Sequence, residues 1–225
     1  MADSSNNFIE PGSTIPAFAE PVVGISSAAD QLYTFFNKDI NPDAYWTPQQ
    51  AFSLAFPQER VKPEELSVIA WVLPQTKKTR QAHTKATIMP SIEWSKSRYY
   101  GEKLNENLRA FVVDLFSKEA KQACAPVMLP QWSRIISNQY GFASCWSERH
   151  AAYACGLGTF GLSDGLITTV GKAVRVGSVI VRDKLKPTPS TYSSHNQWCL
   201  FYSKAGCNGC IKRCPADAIS KAGHD

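Results

Sequence analysis

Four cysteines are bunched within sixteen residues near the end of the chain: Cys199, Cys207, Cys210 and Cys214. The last three stand in the run Cys207-Asn-Gly-Cys210-Ile-Lys-Arg-Cys214-Pro215, which has the form C-x2-C-x3-C-P. Thiolates that converge on one small volume bind soft metals and iron–sulfur clusters. In a reducing compartment such bunching argues for metal rather than for disulfides. Two-residue spacers fold the chain around a metal and aim its amides at the sulfurs, Gly209 permits close backbone approach, and Pro215 turns the chain away. A four-cysteine zinc knuckle and unligated thiols are the alternatives. Cys124, Cys145 and Cys155 are isolated among small or apolar residues and read as buried packing residues.

The run matches the last three cysteines and the proline of the bacterial ferredoxin pattern. Ala216-Asp217-Ala218-Ile219 resembles the short helix that follows it. The first cysteine of that pattern would fall at Lys204, so Cys199 takes its place through a longer loop, with Trp198, Leu200, Phe201 and Tyr202 to shield the site from water. The expected ligands are therefore Cys199, Cys207, Cys210 and Cys214, and the expected cofactor is a 4Fe–4S cluster. The second half of a two-cluster module is not present before Gly223-His224-Asp225, which leads us to expect a truncated module.

A second stretch carries chemistry of another kind. Gly156-x-Gly158-x-x-Gly161 has the spacing of a dinucleotide fingerprint, but it follows a helical pattern rather than a strand. The glycines are expected instead to bring backbone amides close to a large flat or polyanionic cofactor, with Thr159 among them and Ser163 just beyond. His150, on the preceding helix, faces that cofactor or donates a proton, or is a satisfied structural residue.

The elements that must position these groups can be read from periodicity. Ala28 to Phe36 and Pro48 to Phe56 read as short helices, and Leu66 to Leu73 as a buried strand ended by Pro74. Glu102 to Lys121 is the clearest helix, with Leu104, Leu108, Phe111, Val112, Leu115 and Phe116 on one stripe. Glu148 to Cys155 reads as a helix ended by Gly156. Leu166 to Val170 and Ala173 to Arg182 read as a hairpin turning at Gly171-Lys172. The expected organisation is an arm over 1–27, an α/β (α+β) cofactor-binding domain over 28–183, a Pro- and Ser-rich linker over 184–194 and a partial ferredoxin-like module over 195–225.

Composition narrows the classes. The chain has 225 residues, 44% of them hydrophobic, enough for one sizeable core with a small appendage. No apolar run reaches the roughly 18 residues that span a bilayer. Met1 to Glu10 has no basic region followed by an apolar stretch, so the expected location is cytoplasmic. The net charge of +5 is scattered; Lys77, Lys78 and Arg80 read as a solvated loop, and no nucleic-acid motif is present.

The order Glu148-Arg149, Ala154-Cys-Gly156-Leu-Gly158-Thr159-Phe-Gly161, Leu166-Ile167-Thr168 and then the cysteines resembles the epoxyqueuosine reductases and their relatives, the corrinoid-dependent reductive dehalogenases. Ser97-Arg98-Tyr99-Tyr100-Gly101 before the long helix fits the same pattern, and the resemblance covers about residues 65 to 225. It implies a nitroreductase-like cobalamin-binding core, 4Fe–4S clusters, oxidoreductase activity and an external electron donor. It implies a small-molecule or modified-nucleoside substrate and leaves tRNA open as a partner. The family carries an aspartate, its proton donor, six residues before the glutamate matched by Glu148; here Phe142 stands there. The match is to a relative of the family, in which Tyr140 or His150 would have to serve as the acid. The alternative function is a non-catalytic iron–sulfur electron carrier serving a partner enzyme.

Overall fold

The computed structural model describes residues 7–203 and 206–224. Met1 to Asn6, Lys204 and Ala205 in the cysteine segment, and Asp225 lie outside the described residues. In chain order the elements are β1 (Val22–Ser27), α1 (Gln31–Ile40), α2 (Pro48–Ala55), β2 (Ser67–Pro74), α3 (Lys77–Lys85), α4 (Ile92–Lys118), β3 (Ala123–Cys124), β4 (Arg134–Ser137) and β5 (Gly141–Ser144). There follow α5 (Glu148–Ala154), β6 (Gly158–Phe160), β7 (Leu166–Thr168), β8 (Val174–Val181), α6 (Gly209–Arg213), β9 (Ile219–Ser220) and β10 (Gly223–His224).

The central sheet has the order β1-β2-β8-β3, and each neighbouring pair is antiparallel. The fold is α+β. β2 lies between two partners and is covered on both faces, so its sequence is apolar without alternation while its packing alternates. Val68, Ala70 and Val72 face a core shared with α1, α2 and α5. Trp71 and Leu73 face a second core with Leu104 of α4 and Phe18. The stretch read as an arm contributes to both: Val22–Ser27 is the edge strand β1, and Ala17 and Phe18 are fully covered.

The long helix begins earlier than its apolar stripe suggested, at Ile92 behind the cap Ser91. Leu104 faces the sheet, whereas Phe111 and Leu115 are exposed. The inward face is partly polar. Asn105 is fully buried, accepts from Trp71 Nε1 at 2.9 Å and donates to the Val176 carbonyl at 2.9 Å. Trp71 has room for its indole because its cross-strand partner is Gly177, where a Cβ would lie 2.3 Å from the ring.

The expected hairpin of β7 with β8 does not form. β7 pairs with β6, and Thr168 and Gly171 close a tight loop in which Gly171 has φ +97°. The reason lies on β8. One edge is taken by β2, and the other, where β3 does not reach, is met by side chains. Asn105 takes the Val176 carbonyl, and the Glu148 carboxylate accepts from the Ser178 N–H at 2.9 Å. No edge is left for β7 to join. The basic cluster Lys77, Lys78 and Arg80 is likewise not a loop: Thr76 caps it as the start of α3.

Glu148 joins three elements. It stands at the start of α5, accepts from Arg109 of α4 at 2.8 Å (Nε) and 2.6 Å (Nη2), and takes the β8 amide. The Arg109 side chain is 4% exposed and that of Glu148 13%. Burial raises the carboxyl above its ordinary value while Arg109 pulls it down; the two-pronged contact keeps the pair ionised. Removing one partner of such a pair leaves a buried charge unmatched, at a cost of about 3–5 kcal/mol. Glu148→Ala is therefore expected to lower the denaturant midpoint by that equivalent. Lys118→Ala, which breaks an exposed helical pair with Asp114, is expected to cost under about 0.5 kcal/mol. A loss below about 1 kcal/mol for Glu148→Ala would show that the pair does not hold α5 in place.

Candidate functional site

The groups singled out by sequence gather where the core meets the cysteine segment. Ser147 caps α5, accepting from the His150 N–H at 3.4 Å. The same hydroxyl lies 2.8 Å from His150 Nδ1. The hydroxyl can donate to Nδ1 or accept from it while it holds the amide, so either neutral tautomer fits this contact. The ring sits among Phe36 at 4.8 Å, Phe160 at 4.9 Å and Tyr45 at 6.1 Å. Burial, followed by the charge of Arg149, pushes its pKa down to about 3. His150 is a neutral imidazole near pH 7, able to accept or share a proton but not to act as an imidazolium acid.

The glycines after α5 make close approaches, but to this chain. Gly156 turns the helix end with φ +78°, and a Cβ there would lie 3.3 Å from the Pro189 carbonyl oxygen. A Cβ on Gly158 would lie 2.3 Å from the Ile167 carbonyl oxygen, inside the β6–β7 pair. One on Gly161 would meet the Ile167 side chain at 3.2 Å. Thr159 is fully buried, and its hydroxyl accepts from the Trp198 N–H at 3.0 Å. Ser163 takes the Lys172 ammonium. The space these glycines open is thus filled by the chain's own strands and strap, which does not fit a corrinoid seated on them.

The segment read as a linker is laid along the core. Thr188 exchanges hydrogen bonds with Ile25 of β1 (2.8 and 3.0 Å), and the Tyr192 hydroxyl donates to the Tyr153 carbonyl. Phe160 N–H donates to the His195 carbonyl at 2.6 Å. These contacts deliver the cysteines to one end of the β6–β7 pair.

Within the cysteine segment all four thiols are free; Cys199 is buried, Cys207 exposed, and Cys210 and Cys214 partly covered. Turns tie them together. Tyr202 N–H and Ser203 N–H donate to the Cys199 carbonyl, and Cys207 N–H donates to the Leu200 carbonyl at 3.2 Å. Cys210 lies in α6 and Cys214 caps its end. Four thiols on one hydrogen-bonded segment are a donor set that suits an iron–sulfur cluster. Among the described residues no three His, Cys, Asp or Glu side chains already face a common point.

Two carboxylates complete the junction: Asp39, which sequence reasoning missed, and Asp164, which follows the glycines. Asp39, in the last turn of α1, accepts from the Tyr140 hydroxyl at 2.7 Å. Asp164 has φ +51° in the β6–β7 turn and meets His224 Nδ1 of β10 at 2.6 Å. Desolvation and then Asp39 and Asp164 push the Tyr140 phenol up to about 12. Desolvation raises Tyr202 too, followed by the charges of Cys199, Asp164 and Cys210. The junction therefore holds a neutral imidazole and two protonated phenols facing carboxylates beside the cysteine segment. Asp39 has no local signal, because its partner is far along the chain.

His150 gives this site a pH signature. Its folded pKa lies below the ordinary 6.5, so its contribution to stability is full above about pH 6.5 and is lost as pH falls toward 3. The loss per pH unit is at most about 1.4 kcal/mol. His150→Phe is expected to flatten this slope relative to wild type in denaturant melts at pH 7.5 and 5. Parallel slopes in the two proteins would show that the imidazole titrates normally.

No family model matches the chain, and no curated protein does. Among solved structures, epoxyqueuosine reductase from Streptococcus thermophilus aligns over 92% of this chain and 51% of its own, with 11% identity and a TM-score of 0.50. A selenomethionine-labelled epoxyqueuosine reductase aligns over 90% and 50%, with 16% identity and a TM-score of 0.45. An epoxyqueuosine reductase with an epoxyqueuosine-modified tRNA-Tyr stem loop covers the same shares at 16% and 0.47. The chain spans about half the length of the solved structures it matches. At this identity the likeness to the Streptococcus thermophilus structure shows the fold: the chain has an epoxyqueuosine reductase-like α+β fold.

Proposed function

We propose that the chain is part of an oxidoreductase whose electrons enter through an iron–sulfur cluster on Cys199, Cys207, Cys210 and Cys214. The observation that carries this reading is the set of four free thiols on a segment anchored to the core through Thr159 and the strap. The epoxyqueuosine reductase-like fold supports it. A bound 4Fe–4S cluster supplies one-electron transfer. Ligation would draw the thiolates together, because metal-binding free energy is also folding free energy for such a segment. Cys199 already sits under cover, and Trp198 packs edge-on against Tyr192 at 5.4 Å, so one side of the site is shielded from water.

The chain's own residues supply the proton side. Tyr140 is half exposed and keeps its proton at neutral pH, and its phenol is the proton donor we assign to the reduction, once its hydroxyl turns from Asp39 to the substrate. Phe142, 85% exposed, cannot do this work. The substrate is a small molecule or a modified nucleoside, met at the Tyr140 edge of the junction, and the site of action is cytoplasmic. Cobalamin has no part in this reading, since the glycines expected to seat it are closed over by the chain. The exposure of Cys207 supports a second reading, a carrier that hands electrons to a partner enzyme without chemistry of its own. Turnover that is lost in Tyr140→Phe favours the enzyme; electron transfer with no turnover favours the carrier.

The cluster is the part to test first. Protein reconstituted anaerobically is expected to contain iron and sulfide and to show broad visible absorption from thiolate-to-iron charge transfer. Cys207→Ser and Cys210→Ser are expected to lose the iron, and Cys124→Ser, buried in the core, to keep it. Stoichiometric zinc with no iron would overturn the reading.

A further inference from the structure

Two stretches without a single carboxylate meet at one place on this surface. Residues 75–92 contain Lys77, Lys78, Arg80 and Lys85 and no Asp or Glu, and residues 184–216 contain Lys212 and Arg213 among their basic groups and again no Asp or Glu. They touch through Arg213, whose Nη2 donates to the carbonyls of His83 at 3.0 Å, Thr84 at 3.2 Å and Ala86 at 2.6 Å. The guanidinium thus covers the C-terminal carbonyls of α3, where a cation is favoured, and holds the neighbouring Cys214 at that helix end. Nine residues make α3 about 13 Å long, so its whole basic face lies close to the cysteine segment.

The face is held in place, and at its edge Glu10 and Glu93 share a small surface pocket with Lys78. Buried Thr79 and the His83 ring, stacked on Trp94 of α4 at 4.3 Å, hold α3 in place. Lys77, Lys78, Arg80, Lys85 and Lys212 are exposed. Among the described residues none of the five enters an ion pair. Next to them Ile88, Met89 and Ile92 are 78%, 74% and 71% exposed. Cations around aliphatic side chains suit an acidic protein, whose own apolar contacts they can meet. Nucleic acid is less well served, because the exposed apolar side chains beside the cations, Ile88, Met89 and Ile92, are aliphatic, and the one ring in residues 75–92, His83, is stacked on Trp94. The adjoining cysteines select among acidic proteins for one that must come near them.

The geometry points to α3, residues 86–92 and the Lys212–Arg213 edge as the docking surface for a small acidic electron-carrier protein. This rests on the reading of the cysteines as the entry point for electrons. The test is calorimetric titration of the full chain, with and without iron, with a plant-type ferredoxin as probe. Binding is expected in 50 mM salt and is expected to weaken at least tenfold at 300 mM. Lys77→Glu with Lys78→Glu and Arg80→Glu is expected to weaken it at least tenfold at the lower salt, with the circular dichroism of wild type. Lys38→Glu with Arg60→Glu, on exposed sites elsewhere, is expected to leave it unchanged. No binding at 50 mM salt, or equal weakening in the two variants, overturns the proposal. So does an RNA stem loop that binds more tightly than the ferredoxin and is lost in the triple variant. Iron content reports separately on the cluster: binding that persists in a chain unable to take up iron sustains the docking surface and sinks the electron-entry reading.

Discussion

The Glu148 carboxylate is a buried charge whose three donors come from α4 and β8, and the junction depends on their meeting it. It stands in the first turn of α5, where the helix dipole favours an anion. Its contact with Ser178 occupies a backbone donor on the open edge of β8, as Asn105 occupies the Val176 carbonyl. Two side chains thus do for that edge what a further strand would do, and the sheet stops there. α5 is held against the sheet in one orientation, and everything after it follows: the Gly156 turn, the β6–β7 pair, and the Thr159 hydroxyl that receives the cysteine segment. A second pair, Glu102 with Arg175, lies behind the first. It is less well matched, since Arg175 Nε has no hydrogen-bond partner among the described residues.

Electrostatics then distinguish the two sides of the junction. His150 is enclosed by aromatic rings and kept neutral, so it adds no charge beside the segment that would carry thiolates. Desolvation raises the phenols of Tyr140 and Tyr202, Asp39 and Asp164 add to it at Tyr140, and Cys199 and Asp164 at Tyr202, which keeps both protonated. Negative charge is concentrated on Asp39 and Asp164, and the latter is tied to β10 through His224. The basic surface of α3 lies at the other contact of the cysteine segment, made by Arg213. Carboxylates thus lie toward the tyrosines and cations toward α3.

Elements whose signal is local were legible in sequence. Pro48–Ala55 follows a Thr47 cap with a proline at its start, Ser67–Pro74 is an unbroken apolar run, and Glu148–Ala154 ends at a glycine. α3 escaped because only Thr79 of its nine residues is buried, so it has no apolar stripe to count. The exposed Phe111 and Leu115 show the opposite error, apolar residues at helical spacing that face outward while Asn105 and Arg109 face inward. The β7–β8 pairing could not be excluded from sequence, because what forbids it is a pair of polar side chains on α4 and α5 meeting the edge. Tyr140 and His150 were named from sequence as candidate acids through the family resemblance. Asp39 was not, for its partner is 101 residues away.

The glycine motif is the sharpest case of one pattern with two physical meanings. A glycine that lets a cofactor approach and a glycine that lets a strand approach are the same in sequence, since both reflect the absence of a Cβ. They differ in what fills the space. At Gly158 it is the Ile167 carbonyl, and at Gly156 it is the strap residue Pro189. The strap runs on to His195 and Trp198, which bond to Phe160 and Thr159, the residues interleaved with those glycines. Spacing that resembles a ligand-binding loop is therefore the spacing needed to pack a turn, a strand pair and a strap in one layer. The glycines let the chain close tightly enough to set the cysteine segment against the core.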